Sequence, residues 1–132
     1  MNVKVLVISG AMGTGKTTVL GEVSDVLAAR AIPHAAIDLD AVAAVLLPEE
    51  ALRAAMSNPE LVMCRLLAPP ETMEHRIRLR EPGMHQEAFV ARSRSLDAIL
   101  SAAKVEDFTT LNAGGDISGV ALDVLQRAGW VP

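Results

Sequence analysis

The chain is 132 residues long, 51% apolar and formally −4 at neutral pH, the size of one domain with one core and too apolar for disorder. Two Phe, one Trp and no Tyr exclude a platform that stacks nucleic-acid bases on rings, and the interspersed charges leave no basic footprint for nucleic acid. No apolar run reaches the roughly 18 residues that span a bilayer.

The opening MNVKVLVISG leads into glycines rather than a cleavage site, so no signal peptide is expected. Within it, Val3–Ser9 is a β-branched run ending at glycine, the pattern of a buried strand. From about Gly15 to Arg30, Val19, Leu20, Val23, Val26 and Leu27 form a helical stripe. HAAIDLD (34–40) reads as a second strand. Ala41–Leu47 fits strand or helix equally, and the following residues to Glu60 are helical in character, with Pro48 in a first turn. LVMCRLLA (61–68) is a strand. Pro69 and Pro70 open a helix through Arg80, and EPGM breaks it. His85–Lys104 is a long helix with Phe89, Leu96, Ile99, Leu100 and Ala103 on one side. VEDFTTL (105–111) is a further strand and NAGGD a turn. A last helix, about Ser118 to Ala128, is capped by Asp116 or Ser118 and ends at Gly129. Strand and helix alternate throughout, which predicts a single α/β domain, residues 1–132, with a mainly parallel sheet covered on both faces. Cys64 stands alone, which excludes an internal disulfide and fits a reducing cytoplasm. It reads as a small core residue.

SGAMGTGKTT (9–18) carries the chemistry. Gly10, Gly15, Lys16 and Thr17 satisfy G-x-x-x-x-G-K-[ST], a pattern that recurs by chance in roughly one chain of this length in two hundred. Here it also follows a strand and opens a helix, the context that gives it meaning. The loop Gly10, Ala11, Met12, Gly13, Thr14 and Gly15 can curl so that its N–H groups converge on phosphate oxygens. Lys16 reaches the β- and γ-phosphates, the Thr17 hydroxyl can ligate Mg²⁺, and the helix dipole faces the same anion. Thr14 and Thr18 offer further hydroxyls, whereas the Met12 side chain has no chemistry there.

The guanine-reading N-K-x-D of GTPases is absent, as is an LSGGQ-like transporter segment. Asp38 and Asp40 fall on the same side of the second strand at its carboxyl end, where ligands of open α/β sheets sit. They either orient an acceptor hydroxyl and Mg²⁺ water or cap the next element. Arg76, Arg78, Arg80, Arg92 and Arg94 flank EPGMHQE. They either close over a transferring phosphoryl group as a lid or pair with glutamates such as Glu74 on exposed faces. His34, His75 and His85 lack metal-ligand spacing; His85 and Gln86 alone could touch an acceptor.

On VISGAMGTGKTTVLGEVSDVLAARAIPHAAIDLDA, VMCRLLAPPETMEHRIRLREPG and DFTTLNAGG, the chain resembles the adenylylsulfate-kinase-like and shikimate-kinase-like small-molecule kinases of the P-loop NTPases. The resemblance implies a three-layer fold with strand order 2-3-1-4-5, ATP with Mg²⁺, and Lys16 and Thr17 at the phosphates. It places Asp38 and Asp40 near the acceptor, with Asp38 beside the metal. It also implies Arg76 and Arg80 in a small lid around 76–94, and Asn112 and Ala113 near adenine. The expected activity is transfer of the γ-phosphoryl group of ATP to a small-molecule hydroxyl, with nucleotide and acceptor as the partners. The alternative is a regulatory or vestigial nucleotide-binding protein. Only 19 residues, 41–59, separate Asp40 from Glu60, too few for a helix, the central third strand and another helix. Either residues are absent there, or AVAAVLL serves as a short strand, or the sheet is rearranged.

Overall fold

The computed structural model describes residues 3–37, 56–57 and 59–132. Among them the elements run β1 (Lys4–Ser9), α1 (Lys16–Ala29), β2 (Glu60–Leu67), α2 (Pro70–Arg80), α3 (Gln86–Ala103), β3 (Phe108–Leu111) and α4 (Ile117–Arg127). The chain is an α/β protein. Its described strands form one parallel sheet in the order β1-β2-β3. The register pairs Ser9 with Arg65, and Arg65 with Thr109. No described helix is long and apolar enough to cross a membrane.

Alternation along β2 decides what each face of the sheet contacts. Cys64 and Leu66, both fully buried, meet Val19, Val23 and Leu27 of α1 and Ala121, Val124 and Leu125 of α4, with Leu6 and Ile8 packed alongside. This is the core expected from the stripes of the two helices, since residues three and four apart share a face. Burial pushes the Cys64 thiol up to about 11, so it packs as a small neutral apolar group. Asp116 supplies the cap of α4, accepting from the Ser118 amide at 3.1 Å, and Trp130 packs against the core.

Arg65 points to the opposite face. Its side chain is 5% exposed and its Nη2 reaches the Asp97 carboxylate of α3 at 2.8 Å. The same nitrogen donates to Ser101 Oγ at 2.9 Å. Unpaired burial of a guanidinium is costly, so α3 turns its Ser93–Asp97 edge toward the sheet to meet the charge. This corrects the expected apolar stripe of α3. Val90 and Ser93 are its buried residues, and Ile99 is 62% exposed, about 200° around the axis from Asp97.

The expected second strand is also corrected in its described part. His34–Ile37 carries no strand pairing and Ala35–Ile37 is exposed. His34 is instead tied to α1: its Nδ1 donates to the Ile32 carbonyl at 2.8 Å, and its Nε2 accepts from the Ser24 hydroxyl at 2.7 Å. A carbonyl only accepts, which fixes that tautomer for the neutral ring. Asp38, Asp40 and the Ala41–Leu47 segment lie outside the described residues.

Candidate functional site

The loop between β1 and α1 is shaped by glycines at positions where a side chain would be strained, Gly13 and Gly15 among them. Gly13 has φ +90° and Gly15 φ +86°, in the left-handed region that penalises a β-carbon. A Cβ on Gly13 would lie 2.7 Å from the Met73 carbonyl oxygen and 3.0 Å from its Cα, so the start of α2 presses directly on the loop. Gly13→Ala is expected to destabilise the fold by about 2 kcal/mol or more, because strain and a backbone clash coincide. Urea unfolding followed by circular dichroism checks this; an unchanged midpoint would contradict the close approach.

Lys16 opens α1 and folds back over the loop, donating to the Gly10 carbonyl at 2.8 Å and the Ala11 carbonyl at 3.3 Å. Thr17 follows, exposed, on the next position. Thr14 differs from the expectation of a hydroxyl facing phosphate. It is fully buried and its Oγ1 donates to the Ala11 carbonyl at 2.8 Å, closing the loop from within. Ala11 is likewise fully buried, and its carbonyl accepts from Thr14 and Lys16 within the loop. Met12 contributes its carbonyl, which accepts from Ser93 Oγ at 2.6 Å.

A cleft of about 390 Å³ opens beside the loop, lined by Gly13, Gly15, Thr18, Arg76, Arg80 and Asn112 and floored by the turn before α4. Arg76 donates through Nη1 to the Gly13 carbonyl at 3.0 Å and through Nη2 to the Asn112 carbonyl at 3.1 Å. It therefore bridges the glycine loop and the segment after β3. Asn112, 5% exposed, returns the link by donating Nδ2 to the Thr14 carbonyl at 2.9 Å. Arg80 also faces the cleft, with 59% of its side chain exposed. Ala113 is exposed beside the cleft and is not among its lining residues. Thr18, left open between ligand and helix surface by the sequence, is on the wall.

The other arginines expected in the lid lie elsewhere. Arg78 joins Glu74 at 2.7 Å and Glu87 at 2.5 Å, and Arg94 joins Glu74 at 3.0 Å. Arg92 lies over the Phe89 ring. The expected five-arginine cluster thus separates into Arg76 and Arg80 at the cleft and a latch that pins α2 to α3 across the Pro82–Gly83 turn. Gln86, one of the two candidates for an acceptor contact, belongs to this latch: its Oε1 accepts from Arg78 and its Nε2 donates to the Arg78 carbonyl.

Hydrogen bonds from Arg78 hold the carboxyls of Glu74 and Glu87 below the usual glutamate range. Both pairs are therefore complete above the ordinary glutamate value and are lost as pH falls through the lowered values. Amide protection in residues 74–87, corrected for the intrinsic exchange rate at each pH, is expected to fall relative to α1 as pH drops below the ordinary glutamate range. An equal loss of protection in α1 would contradict a local latch.

Sequence reasoning missed Ser93 and Arg65. Arg65 had a visible signal, a charge inside the apolar run LVMCRLLA, where burial demands a partner. Ser93 had none of that strength.

Fold and site together define an α/β protein with a glycine loop at the head of a helix and a two-arginine cleft beside it. A solved structure of similar fold is the crystal structure of an uncharacterized protein from Eubacterium ventriosum, 10% identical, with a TM-score of 0.57 over 96% of this chain and 98% of that one. No protein-family model matches the chain, and no curated protein matches it.

Proposed function

We propose that the protein is a kinase of the three-layer P-loop NTPase class, transferring the γ-phosphoryl group of ATP to a hydroxyl of a small molecule in the cytoplasm. The observation that carries the reading is the Gly10–Thr17 loop: left-handed glycines at positions 13 and 15, Lys16 folded across it, and α1 starting directly behind it. That geometry suits successive phosphates, which need convergent N–H donors, a mobile cation and a helix N-terminus. The adjacent cleft, with Arg76, Arg80 and glycines 114 and 115 on its walls, has room for the rest of a nucleotide, as the resemblance to adenylylsulfate-kinase-like enzymes implies for the segment around Asn112 and Ala113.

Lys16 and the loop amides would stabilise the charge of the transferring group, and Arg80 would approach it from the cleft wall. Arg76 acts first on the protein, since its guanidinium joins the two sides of the cleft. Thr17, an exposed residue at the head of α1, carries a hard oxygen, and Mg²⁺ favours few protein ligands together with phosphate oxygens and water. Thr17 fits that role, with Asp38 the second proposed ligand, and the ion would neutralise phosphate charge. Asp38 and Asp40 are proposed to orient the acceptor hydroxyl.

The rival reading is a protein that binds nucleotide without transfer. The pairing of Arg78 and Arg94 with glutamates rather than with the cleft favours it. ADP release measured across sugars, shikimate, adenylylsulfate and nucleosides separates the two. Acceptor-dependent release supports the kinase, and nucleotide binding with silence across the panel supports the rival.

A further inference from the structure

Three successive carbonyls of the glycine loop are each held by a side chain from a different element. Ser93 of α3 holds Met12, Arg76 of α2 holds Gly13, and Asn112 after β3 holds Thr14, at 2.6, 3.0 and 2.9 Å. In a trans peptide the carbonyl and the N–H of the same unit point opposite ways. Holding the Met12 carbonyl outward therefore turns the Gly13 N–H inward, and holding the Thr14 carbonyl does the same for Gly15. Among the described residues neither amide makes a backbone hydrogen bond, whereas the Thr14 amide is turned into the Ala11 carbonyl at 3.3 Å. Two of the loop's donors, on Gly13 and Gly15, are thus aimed from outside it, while the Gly13–Thr14 unit, though Arg76 holds its carbonyl, gives its N–H to the loop itself.

Ser93 differs from its two counterparts. Arg76 and Asn112 line the cleft themselves, so a change in either alters the ligand's surroundings directly. Ser93 is 2% exposed and stands outside that cleft, on the wall of a smaller hollow of about 240 Å³ between α2 and α3. Its place is fixed one turn further along α3, where Asp97 meets Arg65 at 2.8 Å. Arg65 in turn is in register with Ser9, the last residue of β1 before the loop. The helix is thus anchored to the sheet at the level where the loop begins, and its hydroxyl reaches the loop from that fixed point.

We infer that Ser93 is a positioning residue for phosphate binding: its hydroxyl sets the Met12–Gly13 peptide so that the Gly13 N–H faces the anion. The inference rests on the loop being a phosphate site, and it assigns to α3 a role that the loop motif does not contain. Titration calorimetry with Mg·ADP on the full chain tests it, using Ser93→Ala, Ser93→Cys (which keeps the volume but donates weakly) and Ser93→Thr. Affinity is expected to fall about tenfold in the alanine and cysteine variants, the worth of one well-placed hydrogen bond, and to return within about twofold of wild type with threonine. The amide proton resonance of Gly13 provides a second readout. Its shift on Mg·ADP addition is expected to shrink in the alanine and cysteine variants, which a purely structural role for Ser93 would not produce. Should the alanine variant fail to fold, the cysteine variant decides. Wild-type affinity and an unchanged Gly13 shift in Ser93→Cys would overturn the inference while leaving the nucleotide reading intact. Absence of Mg·ADP binding by the wild type would sink both.

Discussion

On the kinase reading, Lys16→Ala is expected to lower acceptor-dependent ADP release by a factor on the order of 10²–10³. Among its contacts the ammonium donates to the Gly10 and Ala11 carbonyls, at 2.8 and 3.3 Å, and the Ala11 carbonyl also accepts from Thr14 Oγ1. The same cation is the group most able to follow charge onto a γ-phosphoryl oxygen, because it is a compact donor on a flexible stem. The kinetic loss is read beside the urea midpoint of the same variant, which separates loss of chemistry from loss of fold. Equal release by Lys16→Ala and wild type would remove this residue from the chemistry.

The second large effect is structural. Asp97→Ala is expected to cost about 3 kcal/mol, because it strips the nearest carboxylate from an Arg65 guanidinium that is 5% exposed. Glu106 stands 3.9 Å away and compensates only in part; among the described residues, Arg65 Nε and Glu106 Oε2 are buried without a hydrogen-bond partner. A network so incompletely satisfied is no optimum. The double variant Arg65→Met/Asp97→Ala, which replaces the charge by a chain of similar reach, is accordingly expected to be less destabilised than the sum of the single changes. Denaturant unfolding of the four proteins completes the cycle. Additive costs would mean that the pair contributes no coupling to the fold.

The elements that bury apolar stripes against each other were legible in the sequence. Val19, Val23 and Leu27 of α1 and Ala121, Val124 and Leu125 of α4 repeat at helical spacing. Cys64 and Leu66 alternate with Arg65 on a strand, so one face is apolar by inspection. The glycine loop was legible for a different reason: its backbone geometry requires glycine, and the requirement is written in the residues. What periodicity could not express is long-range polar satisfaction. Ser93 meets Met12 across 81 residues, and Arg65 meets Asp97 across 32. In α3 this reversed the inference, because Phe89, Leu96 and Ile99 suggest an apolar face while the buried Arg65 charge draws the polar edge inward. The division among the arginines was hidden in the same way. Arg76 and Arg78 are two residues apart on α2, about 200° around its axis, so one faces the cleft and the other the glutamates of the latch.

Titration of the intact protein with Mg·ATP, repeated with Lys16→Ala, tests most directly the claim that the Gly10–Thr17 loop is a nucleotide-phosphate site, on which both readings depend. Saturable one-to-one binding by the wild type is expected, weakened about tenfold or more by the substitution. Absence of binding by the wild type at millimolar Mg·ATP, or equal affinity of the two proteins, would contradict it.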